Sequence, residues 1–327
     1  VARRFDGRTA AVTGAGGFIG NAICRRLAAE GAEVRGLDVN PALADRVSAA
    51  GAAFAQVDVA DRETLGTTLE GVDLVVHTAA QVREWGSMDD FVRVNVAGTG
   101  HVLDAAAGGG ADRVVHLSSV VVYGYASRSE QDESAFRRAH GNPYIDTKSA
   151  SDRLACRRGA VVIRPGDVYG PGSVPWTLRP LEMARAGQLA VPGRGNGLML
   201  PVYVDDLAEA VVLALAGGEP GEAYTVWDDR ARVTFEEHFN RLAQFAGSRE
   251  ARRLPRPVLE LVGMASERWA SFRGKAPTIT AQAVTFIDRR GTVSAAKARD
   301  ELGWEPRVSY EEGMDRTHEW LRAEGLI

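Results

Sequence analysis

Two cysteines among 327 residues are too few for a disulfide framework. Cys24 and Cys156 each lack a Cys or His at metal-ligand spacing, so no zinc site is expected and a reducing, cytoplasmic compartment fits. No apolar run approaches the roughly 18–20 residues needed to cross a bilayer. The opening Val1-Ala-Arg-Arg-Phe5 has no apolar core of the signal-peptide kind, and no secretory signal is expected. A large excess of charge is also missing. The formal net charge is −4, and short arginine clusters such as Arg157-Arg158 are interspersed with acids. They read as solvated surface, with no general attraction to nucleic acid. Internal repeats and low-complexity tracts are absent too.

What is present suits a globular chain. Apolar residues make up 45% and charged residues 25%, enough for a sizeable core. Short β-branched runs at 9–13, 33–38, 53–57, 74–77 and 113–118 alternate with helical patterns at 20–30, 41–50, 62–69 and 89–107. Leu74-Val-Val and Val114-Val-His-Leu are nearly unbroken apolar runs, as strands buried on both faces are. The expected fold is α/β, a doubly wound parallel sheet of Rossmann type with a smaller, mostly helical C-terminal substrate lobe. Residues 1–165 would form the dinucleotide-binding domain, with 198–226 returning to it. Residues 166–197 and 227–327 would form the lobe. Loops are expected at the Gly- and Pro-rich 166–172 and 192–197, and again over 273–280.

Gly14-Ala-Gly-Gly17-Phe18-Ile19-Gly20 follows the first expected strand and opens the first helix. Missing side chains let a pyrophosphate approach the main chain, and the helix N-terminus offers free N–H groups. Such a loop also suits a plain tight turn, and its context decides between the two. Asp38 ends the second expected strand, where a carboxylate can bond both ribose hydroxyls of a dinucleotide. No arginine follows it in Val39-Asn40-Pro41, which favours NAD over NADP, although Arg35 lies nearby.

Tyr144-Ile-Asp-Thr-Lys148 sets a phenol and an ammonium one helical turn apart, behind the helix start Asn142-Pro143. A nearby ammonium is expected to lower the phenol from its usual value of about 10 toward a working range. Ser119, or failing it Ser118, ends the fifth strand. A hydroxyl there can hold a substrate oxygen and stabilise its developing charge.

Together these residues resemble the extended short-chain dehydrogenase/reductases, of the NAD-dependent epimerase/dehydratase type, over nearly the whole chain. The resemblance also rests on Asp58-Val-Ala-Asp61, His77-Thr-Ala-Ala80, Asn95-Val-Ala-Gly-Thr99, Arg164-Pro-Gly-Asp-Val-Tyr-Gly-Pro-Gly172, Val202-Tyr-Val-Asp-Asp206 and Lys297-Ala-Arg-Asp-Glu-Leu-Gly-Trp-Glu-Pro306. It implies that Ser119, Tyr144 and Lys148 are catalytic and that Asp58 and Val59 border the adenine. It further implies that Ala79 and Ala80 line the pyrophosphate–ribose path, Pro165 lies near the nicotinamide, and Asn95 sits beneath the site. A homodimer through the helices at 89–107 and 143–158 is implied as well.

Within that family, sugar-nucleotide enzymes usually carry Asn where this chain has Asp167. They also tend to place an Arg ahead of the Val-Tyr-Val-Asp-Asp segment, where Gly197-Leu-Met-Leu-Pro is apolar. Dehydratases generally show an acidic pair after the catalytic hydroxyl, but Ser119-Val-Val-Val has none. The 254–280 stretch looks like the 3β-hydroxysteroid dehydrogenase-like branch. The expected activity is hydride transfer between nicotinamide and a secondary alcohol or ketone on a bulky, steroid- or sterol-like small molecule. The alternatives are a nucleotide-sugar 4-epimerase that retains NAD and a cofactor-binding module without catalysis. Val258, Leu261, Val262, Ala265, Trp269 and Phe272 recur at helical spacing. The expected place for this stripe is the lobe core, with a lid or a membrane-surface face as alternatives.

Overall fold

Each apolar run of the first half is followed by a segment long enough to cross back, which is what parallel pairing demands. A computed structural model describes residues 3–83, 85–124, 129–135, 141–274, 277 and 279–327. The chain runs β1 (Thr9–Thr13), α1 (Phe18–Ala29), β2 (Glu33–Asp38), α2 (Ala44–Ala49), β3 (Ala52–Gln56), α3 (Arg62–Thr68), β4 (Leu74–His77), α4 (Met88–Phe91), α5 (Thr99–Gly109), β5 (Arg113–Leu117), α6 (Pro143–Arg157) and β6 (Val161–Pro165). The second half adds β7 (Asp167–Tyr169), α7 (Arg179–Arg185), β8 (Ala190–Pro192), β9 (Pro201–Tyr203), α8 (Val204–Gly217), β10 (Ala223–Val226) and α9 (Phe235–Phe245). It closes with β11 (Arg252–Leu254), α10 (Arg256–Arg273), α11 (Ala281–Ile287), α12 (Ala296–Leu302) and α13 (Tyr310–Ala323).

Seven strands form one parallel sheet in the order β3-β2-β1-β4-β5-β6-β10. This is the doubly wound Rossmann arrangement, and its order reverses between β1 and β4. Side chains alternate across the sheet. Ala10, Val12, Leu74 and Val76 join Ile23, Leu27, Val211 and Leu215 on one face, while Ala11 and Val75 join Leu65, Leu69, Val102 and Ala106 on the other. Full burial of each such Leu, Ile or Val contributes about 1.5–3 kcal/mol. Both faces are therefore sealed, and only the strand ends remain open to a ligand.

Three local expectations change. The single helix expected over 89–107 is divided by a π-helical segment, Val92–Gly98. Such widened turns accompany special side-chain placements, and this one carries Asn95. Residues 167–169, expected as loop, pair with 201–203 as the small parallel sheet β7–β9. The α10 stripe does not enter the lobe core. Only Leu259, Gly263 and Ala270 of that helix are buried, along a seam lying to one side of the stripe. A side chain at Gly263 would meet the Ala281 nitrogen at 2.6 Å, so α11 approaches α10 along that seam. The loop expected over 273–280 includes Lys275, Ala276 and Thr278, which lie outside the described residues.

A buried polar bridge joins these layers. Arg164 on β6 makes a two-pronged pair with Asp152 on α6, at 2.9 and 3.0 Å, and both are buried. Its remaining nitrogen donates to the Tyr123 hydroxyl at 2.8 Å and to the Glu133 carbonyl at 3.2 Å. Removing one partner of such a pair leaves an uncompensated buried charge. Asp152→Ala is expected to lower the unfolding free energy by about 3–5 kcal/mol in urea titrations followed by circular dichroism. A loss within experimental scatter would show that the pair carries no such burden.

Candidate active site

Glycine is required twice where β1 turns into α1. Gly14 adopts φ +69°, and a Cβ there would lie 2.9 Å from Thr78 Oγ1 and 3.0 Å from the Ala79 Cα. A Cβ on Gly20 would collide with the Gly14 carbonyl. Gly17 is the exposed N-cap of α1, whose first turn has no side-chain cap and no acidic residue. The N–H groups of that turn are thus left for an anion. Phe18 and Ile19 are half-buried and pack on the core beneath the turn.

Asp38 reaches this loop directly. One carboxylate oxygen accepts from the Gly16 N–H at 3.0 Å and the other from the Asn40 N–H at 3.0 Å. A carboxylate accepts about four hydrogen bonds, so capacity remains for ribose hydroxyls. Arg35 points elsewhere, donating to the carbonyls of Thr68 and Glu70 at 3.1 and 3.2 Å. Asp58 follows β3, with one oxygen on the Ala60 N–H at 2.9 Å and the other on Arg93 at 3.1 Å. Val59 is buried beside Gly98. Ala79 and Ala80 are half-buried at the exit of β4, where the Ala79 N–H donates to Thr13 Oγ1 at 3.2 Å. The glycine turn, the uncapped helix start and Asp38 thus converge on the switch point of the sheet, and this cradle fits a dinucleotide.

The catalytic candidates come together at the next strands. Asn142 caps α6 by accepting from the Ile145 N–H at 3.1 Å, which starts the helix just ahead of Tyr144. The Tyr144 phenol shares a hydrogen bond with the Ser119 side chain. Ser119, not Ser118, therefore meets the phenol; Ser118 Oγ is buried without a partner among the described residues. Lys148, buried, donates from Nζ to the Leu117 carbonyl at 2.6 Å. Pro165 closes β6, buried and paired in register with Val226 of β10.

Electrostatics here depart from the sequence expectation. Burial pushes the Tyr144 phenol up to about 12, against the opposing hydrogen bond from Ser119. Burial likewise pushes Lys148 down to about 8, opposed by the charge of Asp152. The lowering of Tyr144 by Lys148 is not seen; desolvation of the phenolate dominates. His77 is held down to about 3 and His116 well below its ordinary value, chiefly by burial and then by Lys148.

Asn95 acts through its neighbours. Its Oδ1 accepts from the Gln81 N–H at 2.6 Å, and its Nδ2 donates to the Gln81 carbonyl at 3.1 Å and to Thr147 Oγ1 at 3.0 Å. It thereby ties the exit of β4 to α6. Sequence reasoning missed Asp152, although its spacing four residues after Lys148 on one helix was a usable signal. Arg289 was missed as well, and nothing local announced it. It is buried, pairs with Asp167, and lies over the rings of Phe235 and Phe286, 5.1 and 4.5 Å from their centroids. Asp167 also accepts from the Leu200 N–H at 2.8 Å. Burial pushes its carboxyl up, with Arg289 opposing.

Comparison with known proteins agrees with this geometry. The NAD dependent epimerase/dehydratase family model matches residues 10–226. The 2-alkyl-3-oxoalkanoate reductase of Stenotrophomonas maltophilia is 30% identical, over 93% of this chain and 97% of its own length. A dTDP-glucose 4,6-dehydratase of Streptomyces antibioticus is 31% identical, over 95% and 91%. Among solved structures, the dTDP-glucose 4,6-dehydratase DesIV of Streptomyces venezuelae, described with NAD bound, superposes with a TM-score of 0.78 at 27% identity, covering 96% of this chain and 97% of DesIV. The chain belongs to the NAD-dependent epimerase/dehydratase family of extended short-chain dehydrogenase/reductases, and its cofactor is NAD.

The displaced ammonium makes stability depend on pH. The ordinary value for Lys148 is 10.5, against about 8 in the folded chain. Between those limits the unfolded chain binds more protons at this position, so the Lys148 contribution to stability rises with pH. Tyr144 acts in the opposite direction only above pH 10 or so. The unfolding free energy of the natural chain minus that of Lys148→Met should increase from pH 7.5 to 10 by about 1–3 kcal/mol in urea titrations. A flat difference would mean that Lys148 is not desolvated.

Proposed function

We propose that this chain interconverts a ketone and a secondary alcohol on a bulky apolar substrate. NAD supplies the hydride acceptor when bound, and its reduced form the hydride donor. The Gly14–Gly20 turn would hold the phosphates, with Gly14, Gly17 and Gly20 clearing the approach and Phe18 and Ile19 supporting it. Asp38 would hold the adenosine ribose, Asp58 and Val59 the adenine edge, and Ala79 and Ala80 the path between the two halves. Lys148 would meet the second ribose, and Pro165 would back the nicotinamide. Ser119 positions the substrate oxygen by hydrogen bonding. With its phenol pushed up, Tyr144 carries its proton at neutral pH. It gives that proton to the carbonyl oxygen during reduction and takes one back during oxidation. The ammonium of Lys148, mostly protonated at neutrality, stabilises charge left on the phenolic oxygen.

The observation that carries the choice of substrate is the concavity beyond Ser119. Its lining includes Val120, Gly124, Gln131, Leu200, Thr292 and Val293. Arg289 is the one charged residue among the lining, and Asp167 already pairs with it. A neutralised cation in an apolar wall suits a substrate without a diphosphate. Val120-Val-Val at the place of an acidic pair argues in the same sense against dehydration. The steroid- or sterol-like resemblance and the oxoalkanoate named for a 30% identical relative both satisfy these limits.

Tyr144→Phe is expected to reduce turnover by about 10²–10⁴-fold. Affinity for NADH, read by fluorescence titration, should stay within a few-fold. The same assay, following NADH absorbance over steroid ketones, 2-alkyl-3-oxoalkanoates and UDP- and dTDP-sugars, tests the substrate class. Isomerised sugar with no net change in NADH, and no turnover of the ketones, would overturn the reading in favour of an epimerase. NAD binding with no turnover anywhere would favour a binding module.

A further inference from the structure

The α10 helix is amphipathic in the wrong sense for a helix that only serves the interior. Its buried seam consists of Leu259, Gly263 and Ala270. Its long apolar side chains face water instead: Leu261 is 64% exposed, Trp269 59% and Phe272 87%, and Val258, Val262 and Met264 are exposed as well. With about 100° between successive residues, Val258, Leu261, Val262, Ala265, Trp269 and Phe272 fall on one face. A contiguous apolar face of this kind marks an interaction surface.

The charges around it point to what covers it. Arg268 and Arg273 are exposed, and their spacing puts them along opposite edges of the stripe. The Arg273 guanidinium lies 4.2 Å from the Trp269 ring centroid. The two carboxylates of the helix are engaged away from the stripe. Glu260 pairs with Arg256 at 2.7 Å, and Glu267 accepts from the Ala281 N–H at 3.0 Å. Among the described residues of α10, the outward face therefore offers apolar groups flanked by cations and no carboxylate. A second copy docked on the same face through a two-fold axis would present arginine to arginine at the rim, without a counter-charge. An anionic lipid surface supplies that counter-charge and accepts the apolar stripe. No described helix is long and apolar enough to cross a membrane, so a contact of this kind lies on the surface.

We propose that the outward face of α10 is a docking site for an anionic membrane surface. It seats Val258, Leu261, Val262, Trp269 and Phe272 at the boundary between headgroups and acyl chains, with Arg268 and Arg273 on lipid phosphates. The placement suits delivery of an apolar ligand. The seam of α10 rests on α11, and the chain leaving α11 reaches Arg289 in the wall of the concavity two residues later. The docking itself is independent of the reaction proposed above.

Flotation of the full chain with vesicles of phosphatidylcholine containing about 30% phosphatidylglycerol tests the proposal. Binding is expected there, well above that to phosphatidylcholine alone, and it should weaken several-fold when salt is raised from about 0.1 to 0.5 M. The double variant Trp269→Ser/Phe272→Ser should lose at least about tenfold in vesicle affinity. Arg268→Gln/Arg273→Gln should abolish the preference for the anionic lipid. Phe272→Ser alone, at a side chain almost fully in water, guards against loss by misfolding, and unchanged thermal midpoints check all three. Light scattering on the same samples supplies the competing outcome. A dimer that dissociates on Trp269→Ser/Phe272→Ser, with no vesicle binding by the natural chain, would assign the face to a subunit contact and overturn the proposal. Absence of vesicle binding by a monomeric natural chain would overturn it equally.

Discussion

An ammonium buried as deeply as that of Lys148 has lost most of its hydration, and the chain must replace that loss with fixed dipoles and charge. The replacement extends through several layers. The Leu117 carbonyl at the end of β5 accepts the ammonium directly. Asp152, one turn further along α6, supplies the opposite charge. Asp152 is in turn held by Arg164, and Arg164 by Tyr123 and the Glu133 carbonyl. Tyr123 reaches Thr225 on β10 at 2.8 Å, and the Thr225 N–H donates to Glu133 at 2.7 Å. Lys148 is therefore wired into the far edge strand of the sheet, and displacing any member disturbs the others.

The same desolvation gives Tyr144 its character. A phenol raised by burial is a proton donor at neutral pH, and the Ser119 hydrogen bond orients it without offsetting the burial. Asp167 and Arg289 neutralise each other beside Phe235 and Phe286. The relatives act on substrates as different as those named oxoalkanoate and dTDP-glucose. One fold thus carries chemically different substrates among the relatives, since function lies in sites grafted on a shared frame.

The sheet and the cofactor cradle were legible because their signals are local. Short β-branched apolar runs mark strands, and β1, β2 and β4 begin and end where those runs do. The glycine turn, Asp38 at a strand end and the Tyr144/Lys148 spacing are likewise constraints written within a few residues. Ser119 could be preferred over Ser118 on the same basis, as the residue expected to end the strand.

Tertiary structure decided what depends on partners distant in the chain. Arg289 and Asp167 are 122 residues apart, and no local pattern joins them. The direction of the Tyr144 shift required knowing how deeply the phenol is buried. The π-helical segment at Val92–Gly98 accompanies contacts of Asn95 with Gln81 and Thr147, neither of them close in sequence. Helical spacing grouped the apolar residues of α10 on one face, but only the packing of α11 against Gly263 determined which face turned inward. Periodicity specifies a stripe; burial depends on the surface that arrives opposite it.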